Sequence, residues 1–77
     1  MNITKTQVKR LKSLGQKLKE IRLEKGLTLK ELGYRIEKDP QSISRVEQGD
    51  INPTYLYLTE VCIGLDISLS DLVKDLG

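Results

Sequence analysis

Apolar side chains recur along this chain at helical spacing, and no segment alternates apolar and polar as a half-buried strand would. Val8, Leu11, Leu14, Leu18 and Ile21 line one face of a first helical segment that runs to Gly26, with Thr4 and Gln7 in capping-box register at its start. Gly15 leaves two readings open, one long helix or two short ones broken near it. Thr28 and Glu31 repeat the capping pattern before Leu29, Leu32 and Ile36, predicting a second helix over about Leu29–Ile36. Glu37-Lys38-Asp39 forms a turn, and Asp39 as N-cap followed by Pro40 at the first helical position starts a third helix that Gly49 stops after Gln48. Asp50-Ile51-Asn52-Pro53 reads as a loop. Thr54 caps a fourth helix through Leu58, Val61, Cys62 and Leu65, ended by Asp66, and Ser68 with Asp71 opens a short last one carrying Leu69, Leu72 and Leu76. The expected fold class is all-α, a compact arrangement of four or five helices in a single domain of 77 residues.

The third helix is unusual in what it leaves outside. At about 100° per residue, Ile43 and Val46 point one way while Gln41, Ser44, Arg45 and Gln48 share an arc opposite them. That arc is short, rich in hydrogen-bonding groups and nearly free of acid. Charge is distributed unevenly as well: residues 1–25 carry eight basic and two acidic side chains, although the net charge of the chain is only +2. A basic N-terminal third suits a protein that meets a polyanion with one end, and a solvated lysine-rich helix face would explain the count equally well. With no His and a single Cys, neither an internal disulfide nor a zinc or haem site has its usual partners, so no cofactor is expected. The N-terminus lacks the apolar core of a signal peptide and no apolar run reaches membrane-spanning length, which makes a cytoplasmic location the expectation.

Two helices joined by a three-residue turn, the second opened by a cap and a proline, make a helix-turn-helix pattern. The stretches KLKEIRLEKGLTLKEL, SISRVEQGDINPT and LDISLSDL together resemble the phage repressor and Cro-type helix-turn-helix family, over about Leu14–Leu76, and the resemblance implies a family-like core of residues 14–76 with residues 1–13 as a helical extension. The resemblance implies a repressor-like fold that binds operator DNA as a dimer, with the third helix in the major groove. Gln41, Ser44, Arg45 and Gln48 then become base-reading candidates, since Arg matches guanine O6 and N7 and Gln matches adenine N6 and N7. It also implies that Arg22 and Glu47 form a buried structural ion pair rather than part of the DNA surface.

The sequence departs from the family at three positions. Glu37 stands where the turn commonly has Gly, Lys38 where an apolar residue is usual, and Leu29 where a Gln commonly touches phosphate. Leu29 cannot donate a hydrogen bond. The phosphate contacts are therefore assigned to Lys17, Thr28, Lys30, Lys38 and Asn52, with backbone N–H groups at the start of the second helix.

The fourth helix carries apolar residues on both faces, because Leu56 and Ile63 lie opposite Leu58, Val61, Cys62 and Leu65. A second copy of the chain, or the N-terminal extension around Ile3, Val8 and Leu11, would cover them. No nucleophile is paired with a base and no glycine-rich phosphate loop occurs, which argues against an enzyme, and Cys62 falls on a core face as a small hydrophobe. The expectation is a sequence-specific, homodimeric transcriptional regulator of double-stranded DNA. An antitoxin-like module that binds a partner protein and touches DNA secondarily is the alternative.

Overall fold

The computed structural model describes residues 4–76. Five helices follow in order, α1 (Lys5–Glu24), α2 (Leu29–Ile36), α3 (Pro40–Glu47), α4 (Tyr55–Leu65) and α5 (Leu69–Val73), and no strand occurs among the described residues. Each begins at a side-chain cap. Thr4, Thr28, Asp39, Thr54 and Ser68 each accept a backbone N–H from the first turn of the helix they open, satisfying donors that have no partner within the helix. In α1, α2 and α5 the box is closed by Gln7, Glu31 and Asp71, whose side chains accept the N–H of the capping residue.

α1 is one continuous helix of 20 residues, so the two readings at Gly15 resolve to the long one, and the extension shares its helix with the core. Gly15 is buried where α1 meets the end of α3, and a Cβ there would fall well inside contact distance of the Val46 and Glu47 carbonyl oxygens. The glycine marks a close approach of two backbones, not a break. Helix ends follow local chemistry. Gly49 has φ 76° and closes α3 in a Schellman arrangement, its N–H reaching the Val46 carbonyl and that of Asp50 reaching Arg45, each at 3.0 Å. Glu37, at φ 56°, takes the left-handed conformation its position requires although it is not glycine.

All five helices contribute to one core. Leu18 and Ile21 of α1, Leu32 of α2, Ile43 and Val46 of α3, Val61, Cys62 and Leu65 of α4, and Leu72 of α5 pack together with Leu27 from the α1–α2 turn. α1 lies against α3 and α5, while α2 bridges α3 and α4. The outer arc of α3 is thereby left facing solvent. Cys62 is buried, and burial pushes its thiol pKa up, with Asp71 nearby adding in the same direction, so it fills the core as a neutral group. No helix of the described residues is long and apolar enough to cross a membrane.

Candidate nucleic-acid interface

The exposed arc of α3 has the composition expected of it. Gln41, Arg45 and Gln48 are exposed and Ser44 is half-buried, while Ile43 and Val46 are buried beneath them. Gln48 donates from Nε2 to the Ser44 hydroxyl oxygen at 3.0 Å, which links two of the four groups across one helical turn. Gln41 and Arg45 stand one helical turn apart on the arc.

The body of the protein fixes α3 from both ends. At its C-terminal end Arg22 and Glu47 form a two-pronged ion pair, with Nε to Oε2 at 2.7 Å and Nη2 to Oε1 at 3.0 Å. The remaining arm of the guanidinium donates from Nη1 to the Leu27 carbonyl at 2.7 Å. Both side chains are buried, so the pair joins α1 to α3. At the N-terminal end the Asp39 carboxylate accepts the Gln41 N–H, and Ser42 donates to the Asp39 carbonyl and lies 3.1 Å from the Tyr57 hydroxyl. Tyr57 belongs to α4, which thereby anchors the start of α3.

The phosphate candidates do not stand together. Thr28, Lys30 and Asn52 are exposed, at the start of α2 and in the loop after α3. Thr28 accepts the Glu31 N–H on its hydroxyl oxygen at 3.0 Å. Its own backbone N–H, however, is engaged by the Glu31 carboxylate. That N–H, with the Thr28 hydroxyl next, holds the Glu31 carboxyl below the usual carboxylate range.

Lys38 turns inward: its ammonium pairs with Glu60 of α4 and lies 4.9 Å from the centre of the Tyr57 ring. A phosphate contact would require it to give up both, so its position explains why a cation replaces the usual apolar residue here. Lys17 is half-buried on the flank of α1 that borders Leu76, away from α3. At about 100° per residue, Lys12 and Lys19 take the flank beside α3 instead. With Gln16, Ser44, Gln48 and Leu29 they line an open cleft of about 540 Å³ between α1, α2 and α3. These α1 residues were not singled out from the sequence. The spacing Lys12-Gln16-Lys19 was the available signal, but which flank of α1 meets α3 depends on packing. Leu29 is half-buried against the core, which accounts for an apolar residue where the family commonly places Gln.

Leu56 and Ile63 are 65% and 76% exposed, so neither the N-terminal helix nor any other described element covers them. Ile3 lies outside the described residues.

A family model described as helix-turn-helix matches residues 18–72, from the second half of α1 through α5. The chain belongs to the helix-turn-helix family. Among solved structures, this helix-turn-helix protein is similar to the restriction-modification controller protein C.AhdI from Aeromonas hydrophila, with 31% identity and a TM-score of 0.78 over 80% of this chain and 94% of that one. It is similar also to the clp gene regulator ClgR from C. glutamicum, with 30% identity and a TM-score of 0.83 over 87% and 86% of the two chains. A third likeness, 33% identical with a TM-score of 0.79 over 87% of this chain and 88% of the other, is to the controller protein C.Esp1396I, solved as a tetramer in complex with its natural 35 base-pair operator. Comparison with curated protein sequences gives no significant match.

Proposed function

We propose that this helix-turn-helix protein is a sequence-specific, double-stranded-DNA-binding regulator of transcription, that it inserts α3 into the major groove, and that it acts as a homodimer in the cytoplasm. The observation that carries this reading is the outer arc of α3. Four hydrogen-bonding side chains, Gln41, Ser44, Arg45 and Gln48, stand out from a helix braced at both ends, with Glu47 turned into the protein and paired. Arg45 and Gln41 are of the types that form two-pronged contacts with guanine and adenine. Thr28 and Lys30 at the start of α2 and Asn52 after α3 are exposed and serve as phosphate contacts, joined by Lys12 and Lys19 from the cleft beside α3. Lys38, engaged with Glu60, is left out of that set.

A dimer follows from the exposed Leu56 and Ile63 and from the reach of a single recognition helix. One such helix reads a few base pairs, and a two-fold pair places two of them one DNA turn apart, roughly 34 Å. No catalytic role is assigned to any residue. The similar controller protein solved in complex with its operator supports operator DNA as the partner.

Duplexes selected from a random pool, with affinity measured against salt, test the reading. Log affinity should fall with log salt by about 0.9 per phosphate neutralised. Arg45→Ala should lose about 1–3 kcal/mol of discrimination at one base position while leaving others intact. Wild-type protein that selects no sequence, or whose duplex binding ignores salt, would overturn the proposal.

A further inference from the structure

The N-terminal half of α1 lies outside the matched family segment, which starts at residue 18, and it has a character of its own. Residues 1–19 contain six basic side chains and no acidic one, the first carboxylate being Glu20. Lys5, Lys9, Lys12, Gln16 and Lys19 follow one another at intervals of four and three. On a helix this spacing confines them to a strip about 80° wide. All five are exposed, and none of the lysines joins an ion pair among the described residues.

The strip is continuous with the face of α3. Its C-terminal members Lys12, Gln16 and Lys19 share the cleft with Ser44 and Gln48. The backbone of Lys12 is held against the turn that ends α3, because a Cβ on Gly49 would meet the Lys12 Cα and N at 2.9 Å. The angle between α1 and α3 is thus fixed by backbone contact. From Lys5 to Lys19 the strip runs about 21 Å, which matches the rise of about six base pairs. Two acids border the strip without pairing with its lysines: Asp50 lines the cleft, and Glu20, which accepts a hydrogen bond from Gln16, lines a shallow depression with Lys9 and Lys12.

We infer that the Lys5-Lys9-Lys12-Lys19 strip of α1 is a second phosphate-binding surface, which lies along the sugar-phosphate backbone outside the bases read by α3 and lengthens the footprint of each subunit. The inference rests on the major-groove reading of α3. It assigns the free charge of the extension to duplex DNA flanking the specific half-site, in a sequence-independent way, since ammonium groups on phosphates carry no base information.

The test is the salt dependence of Lys5→Gln/Lys9→Gln in the full chain, on a selected duplex with long flanks and on the same duplex trimmed to the half-sites. Glutamine keeps the helix propensity and removes the charge, and far-UV circular dichroism checks that α1 persists. The slope of log affinity against log salt should become shallower by about 1.8 per subunit, with affinity at about 0.1 M salt falling roughly 10- to 100-fold. The ranking of base preferences should stay the same. Trimming the flanks should weaken wild-type binding and leave the variant nearly unaffected. An unchanged slope together with wild-type indifference to trimming overturns the strip and leaves the α3 reading standing. A wild type that shows no sequence-selective binding overturns both.

Discussion

Breaking the Arg22–Glu47 pair should expose how the recognition helix is held. Both side chains are withdrawn from water, with 7% and 5% of their surface exposed. The guanidinium has three acceptors in contact, two on Glu47 and one on Leu27. Glu47→Ala removes two of the three and leaves a buried cation with only a backbone carbonyl. Loss of one partner of such a pair costs about 3–5 kcal/mol, because the survivor keeps its desolvation penalty without its Coulombic compensation. For a domain of this size the total stability is about 4–12 kcal/mol, at about 0.05–0.15 kcal/mol per residue, so the single change consumes a large share of it. Replacing both partners by apolar side chains, Arg22→Met with Glu47→Leu, removes the penalty together with the pair and should return stability to within about 1–2 kcal/mol of wild type. Urea denaturation followed by far-UV circular dichroism, on wild type, both single variants and the double variant, gives the coupling energy directly. A Glu47→Ala variant within about 1 kcal/mol of wild type, or a double variant as unstable as the two singles added together, would refute the reasoning. The pair would then be a partly solvated surface bridge, in contradiction to its burial.

Four further outcomes are expected. Gly15→Val should cost several kcal/mol and abolish DNA binding, because the added carbons meet backbone carbonyls of Val46 and Glu47 and not the movable tip of a side chain; native-like stability in urea would show that α1 and α3 can separate freely. Glu37→Gly should stabilise the protein by about 0.5–1 kcal/mol, since it relieves a left-handed glutamate at φ 56° and loses part of that gain to the greater freedom of glycine in the unfolded chain, whereas a drop in thermal midpoint would argue against strain there. The Glu31 and Asp71 carboxyls are held below their usual range, chiefly by the backbone N–H groups of Thr28 and Ser68. The unfolded chain therefore binds more protons than the folded one, so their contribution is complete above the ordinary carboxylate range and lost as pH falls through and below it; Glu31→Gln/Asp71→Asn should flatten the acid limb of a stability–pH curve, and an unchanged limb would count against the capping boxes. Ile63→Glu should turn a sedimenting dimer into a monomer without unfolding it, given that Ile63 is 76% exposed in the single chain, and a wild type that sediments as a monomer would remove the proposed seam.

Helix starts, helix ends and the buried stripe of each helix were legible in the amino-acid order, because caps, left-handed closures and the 3.6-residue period act within a few residues of one another. Thr28 with Glu31, Asp39 before Pro40, and Gly49 after Gln48 each specify a local hydrogen-bond geometry whatever the rest of the chain does. The outward arc of α3 was readable for the same reason. What only the tertiary structure decided were the relations between elements. Gly15 could break α1 or admit a neighbour, and the arrival of the α3 carbonyls determines that it admits one. Lys38 looked like a free cation on a turn, yet Glu60 lies twenty-two positions further on and reaches it only once α2 and α4 are packed. Lys17 and Lys19 are two residues apart in sequence, but about 200° of helix rotation sends one toward Leu76 and the other toward α3. Short-range geometry is set by bonded neighbours, whereas the partner of a long flexible cation is set by which helix the hydrophobic core brings beside it.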